Sequence, residues 1–338
     1  MANPERPGFF DACGGEGEKT YSLPAIIIKH ILMDQNKLGP WLVTIAALLW
    51  AMDAPFRKFL TGDLSSSTIV FMEHLVIAVL VLVFLSRFLP ELKKLNKKDW
   101  LAVIFIGVGG SALATVFFTQ SFHYVNPSVA ILLQKVQPLV AILMAVFILN
   151  EKLSPRFWLW AAIAIIGAYL VSFPGFKPQV FPGEVFNPNL LGVIFALLAA
   201  FFWGGSTVFG RLLLGKISFQ AMTAVRFLSA LVFLFMMQIY YGRLGELGQA
   251  SGKDWLFVLI VAIIAGFVSL FIYYRGLRNT KASVATLCEL AFPLAAVVVN
   301  WIFIPGSALS TMQIVGGLIL IGSITALSFE NAKLTPVL

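Results

Sequence analysis

Apolar positions along this chain fall neither in alternation nor in one amphipathic stripe. They come in long blocks, at 40–60, 67–89, 100–122, 127–149 and 154–173, then at 190–213, 219–241, 255–275, 282–304 and 310–329. A helix of about 20 apolar residues crosses a hydrocarbon core of about 30 Å, so the pattern predicts ten transmembrane helices. A membrane β-barrel would need alternating segments of about ten residues, and the sequence has none. The Pro- and Gly-containing stretch 174–189 separates five blocks from five. This divides the chain into an N-terminal extension (1–39), a first five-helix repeat (40–173), a linker (174–189), a second repeat (190–329) and a C-terminal tail (330–338). Within the extension, Leu23 to Met33 is short and interrupted by Lys29 and His30. It predicts an interfacial amphipathic helix and lacks the small-residue cleavage site of a signal peptide.

Composition agrees with the pattern. Of 338 residues, 59% are hydrophobic and 12% charged, with a mean hydropathy of +0.90; soluble domains carry about 25% charged residues. The net charge of +8 sits between apolar blocks, where it orients helices, and not on one solvated face that would engage nucleic acid. With the N-terminus in the cytoplasm, 17 of the 24 Lys and Arg fall on cytoplasmic segments. Arg57, Lys58, Lys177, Arg243 and Lys253 fall on the other side, and Lys135 and Arg226 lie within blocks. This bias predicts a multi-pass protein of the cytoplasmic (inner) membrane with both termini inside. Cys13 and Cys288 show neither disulfide nor metal spacing, and no cofactor is expected.

The chain also repeats itself at an offset near 154. Trp50 aligns with Trp203, Asp99-Trp100 with Asp254-Trp255, Ser128-Val129-Ala130 with Ser283-Val284-Ala285, Pro138 with Pro293, and Gly167 with Gly322. Five blocks per half, an odd number, make the second half enter the membrane from the opposite side. Inverted halves of this kind are a signature of secondary transporters, since they make inward- and outward-open states near-equivalent.

The strings LLWAMDAPFRK, SVAILLQKVQPLVAILMAVFILNEKLS and AIIGAYLVS, with the weaker copy SVATLCELAFPLAAVVVNWIFIPGSALS, resemble the EamA-type repeat of the drug/metabolite transporter superfamily. The resemblance covers 41–173 and 190–327. It implies an all-α membrane fold of ten helices in two inverted repeats around a central cavity, both termini inside, and alternating access. It points to export of amino acids or related metabolites. One departure stands out: where the first half has Asn150-Glu151, the second has Pro305-Gly306, which argues against a symmetric role for Glu151.

Ionisable groups inside a bilayer cost at least about 2.5–3.5 kcal/mol on insertion scales, so their presence asks for a reason. The blocks contain Asp53, Glu73, His74, Lys135, Arg226 and Glu289. Two explanations compete. Lys135 with Glu73 or Asp53, and Arg226 with Glu289, would form ion pairs that lock helices together. Alternatively, Lys135, flanked by Gln134 and Gln137, faces a cavity and binds a carboxylate, while Glu289 and Glu73 receive an amino group or a proton. His74 is the candidate for proton coupling. Trp50 and Trp203, set deep in their blocks, are candidate cavity walls. Pro138 and Pro293 interrupt their helices and mark candidate hinges.

These readings predict a carrier for a small polar metabolite, an amino acid or related zwitterion, acting as monomer or homodimer with membrane lipid as its other partner. A multidrug or organic-cation exporter and a lipid-handling scramblase or flippase are the alternatives. An ATP-driven pump is excluded for the chain alone, since Gly215-Lys216 and Gly252-Lys253 lack the surrounding phosphate-loop pattern. Scattered histidines without metal spacing, and glycine-serine pairs without a His partner, argue against an intramembrane enzyme.

Overall fold

The structure is a computed structural model; it describes residues 23–53, 56, 57, 59, 60, 64–83, 85–125, 130, 133–176, 190–303 and 310–334. The extension before residue 23, linker residues 177–189, Pro305-Gly306 and the tail beyond 334 lie outside the described residues. Among the described residues every regular element is a helix. Apart from a 3-10 turn at Pro174–Phe176 and a single-turn helix at Glu246–Gln249, they are in order α1 (Leu23–Trp50), α2 (Ser66–Leu82), α3 (Leu85–Leu92), α4 (Lys97–Ser121), α5 (Gln137–Ile148), α6 (Pro155–Ser172), α7 (Leu190–Leu213), α8 (Phe219–Tyr240), α9 (Gly252–Leu277), α10 (Ala282–Cys288), α11 (Ala291–Phe303) and α12 (Thr311–Leu334). Of these, α4, α6, α7, α8, α9 and α12 are long and apolar enough to cross a membrane, and α2 with α3 adds another if the two are one bent span. Their exposed positions include Val79, Leu159, Met236 and Leu318. That is the outer surface of a protein solvated by lipid tails.

Helix starts follow from capping chemistry. The side chains of Ser65, Asn96, Ser154, Ser218 and Ser251 each accept from a backbone N–H in the first turn of the helix that follows. Asn96 with Asp99 and Ser251 with Asp254 form reciprocal capping boxes, each satisfying two orphan donors. These boxes open α4 and α9, the helices that the Asp-Trp repeat aligns. Both helices also contain a π-helical stretch, Phe105–Leu113 in α4 and Ala262–Val268 in α9.

Two sequence expectations need correction. The segment read as a separate interfacial helix at Leu23 to Met33 is continuous with the first apolar block, because α1 runs unbroken through Pro40 to Trp50. Proline deprives the Asn36 carbonyl of its intrahelical donor. Asn331 on α12 supplies the missing one, its Nδ2 lying 3.1 Å from Asn36 O, so the rod survives. Conversely, the blocks 127–149 and 282–304 are not continuous helices. The first is interrupted by a turn at Lys135-Val136 before α5, the second by a turn at Glu289-Leu290 between α10 and α11. Pro138 and Pro293 sit in the first turn after each break, where a missing N–H is harmless.

Packing relies on small residues, as expected where no hydrophobic effect separates helix from lipid. A Cβ on Gly167 of α6 would lie 2.9 Å from Leu320 N of α12, and one on Gly316 of α12 would lie 2.9 Å from Gly167 O. In the same way a Cβ on Gly276 of α9 would meet Gly39 O of α1 at 2.7 Å. Backbone cannot swing away as a side chain can. Gly316→Leu is therefore expected to destabilise by about 3 kcal/mol, the upper part of the overpacking range. The measurement is a melting curve followed by the monodisperse peak on size-exclusion chromatography, with the solvent-facing Gly245→Leu as an unchanged control.

Candidate functional site

The helix breaks and π-helical stretches converge on one cavity of about 240 Å³. Its walls come from α1, α2, α4, the first turn of α5, α7, α8, α9, α10 and α11, together with the turn before α5. Of the residues singled out from sequence, Trp50, Asp53, Glu73, His74, Gln134, Lys135, Gln137, Pro138, Trp203, Arg226 and Glu289 all line it, and Pro293 does not. Two aromatic pairs face the space. Trp50 and Tyr273 have ring centroids 5.3 Å apart, and Phe118 and Trp203 are 5.2 Å apart.

The charges are arranged differently from the pairing expected. Lys135 contacts neither Glu73 nor Asp53, and Arg226 forms no ion pair with Glu289. Arg57, placed by sequence outside the membrane, is buried instead and holds both acids of the first half. Its Nε donates to Asp53 Oδ2 at 2.8 Å and its Nη2 lies 2.9 Å from Glu73 Oε1, while Nη1 donates to Thr119 Oγ1 at 3.4 Å. The physical reason is local: Arg57 lies four residues after Asp53, and it turns inward to two carboxylates that form no other ion pair among the described residues.

Arg226 spends its donors on neutral oxygens. Nε reaches Ser111 Oγ at 2.6 Å, Nη1 the Tyr274 hydroxyl at 2.7 Å and Nη2 the Gly110 carbonyl at 3.0 Å. Gly110 and Ser111 belong to the π-helical stretch of α4, whose looser backbone register leaves a carbonyl to accept from outside. Glu289 sits at the break after α10. It accepts from Gln137 Nε2 at 2.6 Å, from the Tyr273 hydroxyl at 2.8 Å and from Thr207 Oγ1 at 3.2 Å, so its carboxylate is held by three neutral donors and, among the described residues, no ion pair.

Lys135 is the exception. Among the described residues it has no ion pair and no hydrogen bond, only the face of Phe292, 5.6 Å from Nζ to ring centroid. Several buried polar atoms around the cavity are likewise without partners: Gln134 Oε1, Ser206 Oγ, Thr286 Oγ1, Asp53 Oδ1 and His74 Nε2. His74 Nδ1 lies 2.8 Å from the Val70 carbonyl. A carbonyl only accepts, so Nδ1 carries a proton, and Nε2, an acceptor when the ring is neutral and a donor when it is charged, is left without a partner. Unsatisfied buried polar groups are rare in folded proteins, and a cluster of them on one cavity makes it the candidate ligand site.

Sequence reasoning passed over Arg57, Thr207, Thr286 and Phe292, and read Ser111 and Ser206 as packing. Arg57 could have been found from its i, i+4 spacing to Asp53. The others carry no signal, because Ser, Thr and Phe are ordinary in any membrane helix.

Comparison with known proteins bears on what such a cavity serves. The model of the EamA-like transporter family matches residues 37–173 and again 190–329. The chain belongs to the EamA-like transporter family. Among its relatives, the riboflavin transporter ImpX of Fusobacterium nucleatum is 33% identical over 304 residues, covering 88% of this chain and all of that protein. An uncharacterized transporter of Synechocystis, sll1164, is 24% identical, over 80% of this chain and 78% of its own. A crystal structure with 18% identity superposes with a TM-score of 0.68, over 87% of this chain and 97% of the other, which supports the fold. This EamA-like chain is thus a membrane-spanning transporter and not an enzyme, and its polar cavity lies among the helices that cross the bilayer.

Proposed function

We propose that this transporter carries an uncharged, planar aromatic metabolite of the flavin type, riboflavin being the representative, across the inner membrane by alternating access. The observation that carries the reading is Lys135. A cation without a counter-ion among the described residues stands beside an unpartnered Gln134 Oε1, inside a cavity walled by Trp50, Trp203, Phe118 and Tyr273. The edge of an isoalloxazine presents carbonyl, N–H and carbonyl in a row, which would accept from Lys135 and donate to Gln134. Ser206, Thr286, Asp53 and His74 offer the free atoms that a polyol chain needs. The cavity's formal charges also balance, with Arg57, Lys135 and Arg226 against Asp53, Glu73 and Glu289, which favours a neutral cargo. The name of the ImpX relative points the same way.

The amino-acid reading asks Lys135 to bind the carboxylate and Glu289 or Glu73 to bind the ammonium. It is weakened because Glu289 already accepts three hydrogen bonds and Glu73 is held by Arg57. A cationic drug meets the same difficulty.

The architecture that goes with this function is ten spans in two inverted five-helix halves, with both termini cytoplasmic. Support comes from matched features at the repeat offset: the capping boxes opening α4 and α9, the π-helical stretches within them, and the breaks at Lys135-Val136 and Glu289-Leu290. Broken helices at corresponding positions in two halves frame transporter sites near mid-membrane, and Pro138 and Pro293 then mark the hinges.

The test is a titration of purified protein with riboflavin, read by quenching of flavin fluorescence, beside a thermal-shift screen of amino acids, organic cations and lysolipids. Saturable quenching is expected, with riboflavin 5′-phosphate binding more weakly because its added charge enters a balanced cavity. Stabilisation by an amino acid with no response to riboflavin would return the zwitterion reading. A response to lipids alone would favour lipid handling.

A further inference from the structure

Helices α2 and α8 pack side by side and run antiparallel. Thr68 near the start of α2 donates to Gln238 near the end of α8 at 3.2 Å, while Ser218, the N-cap of α8, meets α3, which follows the end of α2. The pair is pinned at both ends by the same device. At one end Glu91 of α3 accepts from the Ser218 backbone N–H at 2.6 Å and from its hydroxyl at 3.1 Å. At the other end Glu246, in the segment following α8, accepts from the Ser65 backbone N–H at 3.1 Å and from its hydroxyl at 2.7 Å. Each helix is thus N-capped twice. Its own serine satisfies the first turn, and a carboxylate borrowed from beyond the far end of the partner helix holds that serine.

The correspondence is close. Glu91 and Glu246 are 155 positions apart, and Ser65 and Ser218 are 153 apart, the offset of the internal repeat. Each contact joins one half of the chain to the other. Neither acid lies in the cavity, and neither does any serine they hold, so substrate chemistry does not account for them.

We propose that Glu91 and Glu246 are alternating latches of the transport cycle: the Ser65 end parts when the Glu246 contact breaks, and the Ser218 end parts when the Glu91 contact breaks. This rests on the alternating-access reading above and not on the identity of the cargo. A helix N-terminus holding a carboxylate through charge-assisted hydrogen bonds is strong enough to keep an end shut and local enough to release it. Secondary ties flank each latch. Lys216 pairs with Asp99 at 2.6 Å near Ser218, and Arg243 donates to Ser67 Oγ at 3.0 Å near Ser65. Loss of one glutamate therefore biases its end toward opening and leaves the fold joined.

The experiment places a reporter cysteine in the cavity, Thr115→Cys, in a full-length chain whose own two cysteines are alanine. In proteoliposomes of known orientation, the rate of labelling by a membrane-impermeant maleimide is measured from each face. Glu246→Ala is expected to raise labelling from the Ser65 face by about tenfold, the effect of losing hydrogen bonds to a charged group, and to lower it from the other face. Glu91→Ala is expected to do the reverse. Changes of the same sign at both faces, or none, would overturn the proposal. If an alanine variant fails to fold, Ser65→Cys with Glu246→Cys, bridged by a short thiol cross-linker before labelling, replaces it. The bridge should abolish labelling from the Ser65 face and spare the other; labelling from both faces would overturn the latch. No substrate enters this assay, so its failure is distinct from a failure to bind riboflavin.

Discussion

Arg57→Met is expected to destabilise the solubilised protein by about 3–5 kcal/mol, the usual result of removing one member of a buried ionic cluster. Arg57 is 6% exposed and Glu73 equally so, and the guanidinium is the direct ionic partner that Asp53 and Glu73 have in common. Without it two carboxylates face each other in a low-dielectric space, and at least one must take up a proton or drag water into the bundle. The measurement is the melting midpoint followed by size-exclusion chromatography. A companion variant separates electrostatics from lost packing: Arg57→Met with Asp53→Asn and Glu73→Gln removes all three charges and should recover most of the loss. If the single variant melts with the parent, the trio contributes nothing net. If the triple variant is as damaged as the single, the loss is one of packing, with Arg57's long stem as the responsible part.

That expectation also marks where the sequence stopped being informative. Apolar block length located six spans that the described residues show as continuous membrane-length helices, α4, α6, α7, α8, α9 and α12, since membrane thickness imposes one scale on all of them. The prolines at 138 and 293 signalled interruption, and the structure has turns just before each. The ionisable residues stood out because the bilayer makes each one expensive, and all of those singled out share one cavity. What the pattern could not supply was pairing. Arg57 lies where a block shades into a loop, and hydropathy alone cannot say whether a basic side chain there turns out to water or inward to an acid. Charge counting sent Arg57 outside and left Lys135 either paired with Glu73 or Asp53 or facing a cavity; the fold turns Arg57 inward to both acids and leaves Lys135 on the cavity wall. Similarly, the carbonyl that Pro40 frees in α1 is satisfied by Asn331, almost three hundred positions away. Contacts of such separation are tertiary facts that no local reading contains.

Which of the two sequence readings of Lys135 holds decides what its removal should do. Had it paired with Glu73, Lys135→Met would strand an acid and destabilise the protein. In the structure the ammonium has no acid to strand, so replacing it with an apolar side chain of similar length relieves a desolvated charge. Lys135→Met is therefore expected to leave the melting midpoint unchanged or raise it, while weakening riboflavin binding by about ten- to a hundredfold, the loss of one or two hydrogen bonds from a charged donor. The two readouts move in opposite directions, as they do for groups kept for function at the expense of stability. Melting curves with and without riboflavin, together with a quenching titration of the same preparation, measure both. Lys135→Arg refines the test: charge is retained but the planar fork replaces a compact ammonium, so stability should follow the parent while binding falls part of the way. A fall in stability for Lys135→Met without ligand would mean that the lysine holds the fold together. Unchanged binding would mean that the cargo is recognised by the aromatic walls and the neutral hydrogen-bonding groups alone.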